Sequence, residues 1–226
     1  MNVSTALLRL YRPVIIPFAS ILVLVELVGV TWVASVKRPD FSMWLVLAGS
    51  AEKYWLLVIG IILVSMNLRQ FVANGVTRHE FLAGSAVYGL VLALGWSVAL
   101  VLGHVVEALL LGAAGRRGDG YPGIGPIDLL DQFGHALPLA LGWLLSGALI
   151  AIGFFRWRAW LGLIVMVGGA IPAAVADGLL AYNEFGDGVG RLPYPAALAI
   201  SIAATALGAV ALHRAVSDTP IRRTAG

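Results

Sequence analysis

The chain has 226 residues, of which 60% are hydrophobic and 12% charged, with a formal net charge of +3 and a mean hydropathy of +0.91. Too few polar side chains remain to coat a water-soluble globule of this size, and 27 glycines without a fixed period exclude a collagen-like chain. The absence of Cys excludes disulfides, zinc-thiolate sites and Cys nucleophiles; the Lys and Arg residues sit at the ends of apolar runs, which is membrane topology and not a nucleic-acid patch.

A helix crossing the hydrocarbon core needs roughly 20 mostly apolar residues. Six runs meet that length. Residues 1–13 place Leu7, Leu8 and Leu10 beside Arg9 and Arg12, a pattern suited to a short helix in the cytoplasmic interface or to a frayed terminus. The first run, 14–36, is too long for a signal peptide and carries Glu26 in its middle, so it reads as a permanent span. A carboxylate at mid-bilayer costs about 2.5–3.5 kcal/mol. Glu26 therefore either lines a substrate path or pairs with a hydroxyl or amide of a neighbouring helix.

The second run, 51–73, leads into the corner Asn67-Leu-Arg-Gln-Phe-Val-Ala-Asn-Gly-Val-Thr-Arg-His-Glu-Phe81. Asn74-Gly75 is a helix stop, because glycine takes the left-handed conformation without a Cβ clash. Thr77-Arg-His-Glu80 is a capping box that opens the next helix. Leu68, Phe71 and Val72 share one helical face, while Arg69, Arg78 and His79 offer charge and donors to the cytoplasm. Such a corner either only closes a loop between two spans or pushes on a partner.

The third run, 80–103, is followed by His104 and Glu107 and by a Gly and Pro-rich outer loop, Gly115 to Pro126. Asp128 and Asp131 open the fourth run, 131–155, where a helix N-terminus favours negative charge. His104 with Glu107 and Asp131 with His135 each share a helical face. They read as a hydrated outer vestibule or as helix-end electrostatics in preference to a metal site. Pro138 and Pro172 bend the fourth run and the fifth, 159–182. Asp177, near the outer end of the fifth, either snorkels or lines the same path as Glu26. The sixth run, 193–213, carries a small-residue stripe of Ser201, Thr205, Gly208 and Ala209 that permits close helix approach.

The expected fold is all-α: one polytopic membrane domain over residues 1–226, six transmembrane helices, and both termini on one side. Arg9, Arg12, Arg69, Arg78, Arg156, Arg158, Arg214, Arg222 and Arg223 outnumber Lys37, Arg38, Lys53, Arg116, Arg117 and Arg191 on the other face, so that side is cytoplasmic. Asp40, Glu52, Asp119, Asp128, Asp131, Glu184 and Asp187 all fall on the outer side. Neither a phosphate-binding Gly-x-x-x-x-Gly-Lys run nor a His-Glu-x-x-His pair occurs, and Ser146-Gly147 lacks the preceding glycine of a membrane serine protease. The chain itself is therefore not expected to be an enzyme.

The stretch Tyr54-Trp-Leu-Leu-Val-Ile-Gly-Ile-Ile-Leu-Val64, then Leu68 to Val72 and Asn74-Gly-Val-Thr-Arg-His-Glu-Phe81, resembles the small permeases of ABC exporters of the type 2 class found in actinobacteria. In these the corner is written Gly-Val-Thr-Arg-basic-x-Phe, with a second Arg usual where His79 stands. The turn Gly153-Phe-Phe-Arg-Trp-Arg158 is similar to that family as well. The family's larger members carry a re-entrant segment between the last two spans, for which residues 183–192 are too short. The resemblance implies a multi-pass protein of the bacterial plasma membrane, surrounded by lipid and binding no nucleic acid. It would pair with a second permease copy or a homologous permease and with two copies of an ABC ATPase. ATP and Mg would be held by the ATPase, and this chain would bind no cofactor. Asn67, Arg69, Gln70, Phe71, Asn74, Gly75, Thr77, Arg78, His79 and Glu80 would then form the coupling element, and Glu26 and Asp177 the substrate path for a hydrophobic or amphiphilic cargo. The alternatives are a membrane solute-binding or regulatory subunit without force coupling, and an intramembrane enzyme using Glu26 or the His104 and Asp131 region.

Overall fold

The computed structural model describes residues 2–156, 159–183, 185, 188 and 192–217. The helices are α1 (Val3–Val36), α2 (Met43–Ile62), a π-helical turn (Leu63–Asn67), α3 (Leu68–Ala73), α4 (Arg78–Ala113), α5 (Pro126–Arg156), α6 (Ala159–Gly169), α7 (Ile171–Leu180) and α8 (Tyr194–Ser217). The elements from Met43 to Ala73 run on as one rod, and α6 with α7 form another, so six helical segments are long and apolar enough to cross a membrane. Among the described residues there is no strand, only an isolated bridge between Tyr182 and Gly188. Of the residues invoked for sidedness and for the turn after the fourth span, Trp157, Arg158, Glu184, Asp187, Arg191, Arg222 and Arg223 lie outside the described residues, as does most of 183–192.

Several helices overshoot the expected spans. At 1.5 Å per residue, the 34 residues of α1 and 36 of α4 reach about 51 and 54 Å, well beyond a hydrocarbon core of about 30 Å. An apolar run marks only the part in lipid. The second rod starts at Met43 and not near 51 because Ser42 caps it, its Oγ accepting from Leu45 N at 3.2 Å. At the N-terminus no separate interfacial helix forms. α1 is unbroken from Val3 through Pro13 and Pro17, with Val3, Leu7 and Tyr11 buried in the bundle.

α5 is the central rod and the most buried span; it packs against α2, α4, α6, α7 and α8. Its closest approach is to α2, where glycines face backbone: a Cβ at Gly60 would strike Leu144 O, and one at Gly147 would strike Leu57 O. Leu56, Ile59, Leu68, Phe81, Tyr88 and Ile152 fill the main core. Towards the other end, Trp44 donates from Nε1 to Leu100 O at 2.8 Å, lying where any side chain on Gly103 would have to go. The fifth span breaks at Ala170, two residues before Pro172. Ser146 Oγ on α5 accepts from the freed Ala173 N–H at 2.9 Å, so the break leaves that donor satisfied.

Candidate functional site

Two regions hold the residues singled out by sequence. The first is the corner between α3 and α4. α3 ends in a Schellman motif: Val76 N–H donates to Phe71 O at 3.0 Å and Gly75 N–H to Val72 O at 3.1 Å, with Gly75 at φ +85°. Val76 packs onto the cluster that contains Phe71, which adds the motif's apolar contact. Thr77 then opens α4 with the expected capping box. Its Oγ1 accepts from Glu80 N at 3.2 Å, and Glu80 Oε2 accepts from Thr77 N at 2.9 Å. Asn74 Nδ2 adds a bond to Gln70 O at 2.8 Å. The turn is thus capped on both sides within four residues.

The ten corner residues divide by exposure. Arg69, Gln70, Asn74, Gly75, Thr77, His79 and Glu80 are exposed and Arg78 is half-buried. Asn67 and Phe71 are buried. Asn67, closing the π turn, donates from Nδ2 to Tyr11 Oη at 2.6 Å, and the Tyr11 ring lies 5.4 Å from that of Tyr88. The Phe71 ring lies tilted against that of Phe81, with centroids 5.7 Å apart. Both anchor the corner to the bundle. Arg78 Nη1 donates to Ser217 O at 2.8 Å and Arg156 Nη1 to Ala215 O at 3.1 Å. Cationic donors there suit the negative end of the α8 dipole. His79 meets His213 edge-on at 6.2 Å.

The second region is polar and lies at the opposite end of the bundle. Glu107 on α4 caps α2: its carboxylate accepts from Ser42 Oγ at 2.5 Å, Met43 N at 2.9 Å and Trp44 N at 3.2 Å. His104, fully buried, pairs through Nδ1 with Gln132 Oε1 at 3.0 Å. His135 Nδ1 lies 3.0 Å from Leu180 O, so that nitrogen donates. Its Nε2 is 3.7 Å from Asp131. The two sequence pairs therefore serve helix ends and helix seams, and among the described residues no three His, Asp or Glu side chains stand together as a metal site would require. Over this end folds the loop between α4 and α5. α4 closes on Gly115, at φ +65°, in a second Schellman motif, and Arg117 lies over the Tyr121 ring at 5.0 Å. Burial pushes the Tyr121 phenol well above its ordinary range, and the Glu107 charge adds to that.

The two candidate path residues have different surroundings. Asp177 is ion-paired with Lys53 at 2.5 Å. Glu26 lies on the buried seam of α1 with Leu22, Val30 and Val33, is 7% exposed, and among the described residues neither carboxylate oxygen has a hydrogen-bond partner. The structure does not bring Glu26 and Asp177 into one site. It adds an acid that the sequence assigns only to the outer side: Glu52, 1% exposed, inside the bundle. Comparison with family models, with curated proteins and with solved structures returns no match, so the functional reading rests on the residues and their geometry.

Proposed function

We propose that the chain is the permease subunit of an ABC exporter of the type 2 class in a bacterial plasma membrane. It moves a hydrophobic or amphiphilic substrate, with ATP hydrolysed by separate subunits. Both termini and the corner face the cytoplasm, and a second permease copy or a homologous permease completes the translocation path.

The observation that carries this reading is the construction of the corner. A loop that must receive force from a partner has to be stiff, since a frayed connection would absorb the displacement as backbone motion. Here the chain reverses between two long rods through a Schellman motif and a capping box. Leu68, Phe71 and Phe81 anchor it in the main core, and Arg69, Gln70, Asn74 and Glu80 are presented outward. A loop needed only for topology would carry a stop, a cap and positive charge as well, so the inner anchors are what favour the coupling reading. Arg78, bonded to Ser217 O, would also link any movement of the corner to α8.

The test is purification from mild detergent with a subunit count. An ATPase should accompany the wild-type chain, and Arg69→Glu with Gln70→Glu should release it while leaving the chain membrane-inserted and folded. These two exposed side chains make a cleaner probe than Arg78, whose loss would also uncap α8. If the wild-type chain transports substrate alone, or if the double variant retains its ATPase and substrate-stimulated hydrolysis, the reading is wrong.

A further inference from the structure

Glu52 lines a cavity of about 150 Å³ between α2, α4, α5 and the end of α7. It lies nine residues into α2, about 14 Å from the helix start. Its side chain is 1% exposed; among the described residues Oε1 has no hydrogen-bond partner, and the neutral Trp96 indole stands beside the carboxylate. Leu45, Leu100, Leu139 and Leu180 supply apolar walls, and Gln132 and His135 supply polar ones. Among the described residues Lys53 and His135 are the basic side chains that line the cavity, and both are engaged elsewhere. The Lys53 ammonium is held by Asp177 at 2.5 Å. His135 donates from Nδ1 to Leu180 O, leaving Nε2 turned towards Asp131. With Glu52 ionised, Glu52, Lys53 and Asp177 together would carry one net negative charge.

A carboxylate in so little water is stabilised by a neighbouring positive charge or else takes up a proton. The cavity holds the volume of about five water molecules at 30 Å³ each, enough for an ammonium group with a small apolar body. We infer that this cavity is a binding site for an organic cation, a primary ammonium whose charge meets Glu52 while its hydrocarbon part contacts the leucine walls. The site draws on the charge and shape of the chain alone, and it holds whether or not an ATPase drives the protein.

The test uses the purified full chain in lipid nanodiscs, titrated by calorimetry with benzylammonium and with its neutral isostere benzyl alcohol. Benzylammonium should bind at least about tenfold more tightly, and Glu52→Gln should bring the two probes within about twofold of each other. Asp119→Asn, which removes an exposed outer-loop acid, should leave the preference intact. Gly49→Leu adds bulk at a cavity-lining glycine with open space around it and should weaken both probes; it decides the location if Glu52→Gln does not fold. Equal affinity of the two probes for the wild-type chain, or no binding of either, overturns the inference, equal affinity being the result if Glu52 simply carries a proton. A preference that survives Glu52→Gln, or affinities that Gly49→Leu leaves unchanged, overturn it too, because the cation is then bound elsewhere.

Discussion

Replacing Gly147 with alanine adds one carbon at the tightest crossing in the bundle. The new Cβ would lie under 2.5 Å from Leu57 O and 3.1 Å from Ile61 N, and these are backbone atoms that cannot swing away. Restoring an ordinary 3.4 Å contact requires α2 and α5 to part by more than about 0.9 Å. A gap of that size forfeits a quarter to a half of each dispersion contact, and each contact is worth about 0.1–0.2 kcal/mol. If roughly 40 atom pairs along the seam are affected, about the number a single buried leucine makes, the loss is about 1–4 kcal/mol, in line with overpacking elsewhere. Gly95→Ala is the control, since no heavy atom lies within 4 Å of its Cβ position and removing a helix glycine should stabilise by up to about 1 kcal/mol. Unfolding in a denaturing-detergent titration, followed by the fluorescence of the 7 tryptophans, reports both. A Gly147→Ala chain that unfolds within about 0.5 kcal/mol of wild type would refute the backbone-to-backbone crossing.

Glu107→Ala should cost about 1.5–3 kcal/mol, since the carboxylate accepts from Ser42 and from two N-terminal amides of α2; the same titration measures it. A double-mutant cycle of Asn67→Ala and Tyr11→Phe should give a coupling of about 1 kcal/mol from the 2.6 Å bond joining the corner to α1. Lys53→Met with Asp177→Asn should couple by less than about 1 kcal/mol and weaken with added salt. The pair is partly exposed, at 22% and 40%, and is screened accordingly.

The corner is the part of the molecule most fully written in the sequence. Its signals are local: Gly75 at C′, Thr77 at the N-cap and Glu80 three residues on act through backbone bonds within a few positions. The six rods were legible for a similar reason, because apolar length alone decides a crossing. What the sequence leaves unwritten is anything set by contact across the bundle. Asn67 and Arg69, two residues apart, look alike as polar ends of a span, yet one meets Tyr11 and the other is exposed. Ser146 and Gly147, weighed only as part of a protease turn, instead satisfy the break before Ala173 and let α2 approach.

Glu52 shows why polarity counted along the chain misplaces a buried acid. In Gly-Ser-Ala-Glu-Lys-Tyr54 the charged pair Glu52 and Lys53 resembles the wet entry to a span. On a helix, however, neighbours diverge by about 100°. Lys53 turns to the side where Asp177 waits, and Glu52 falls in line with Leu45, Ala48, Leu56 and Ile59, all buried. That spacing of three and four is the inward stripe of the helix, so the position was available from periodicity once the charge was ignored. Outward-facing acids in a membrane bundle are placed by water, and they sit where the apolar run ends. An acid on the inward stripe has traded water for the protein interior, and a partner, a ligand or a bound proton must make up the difference.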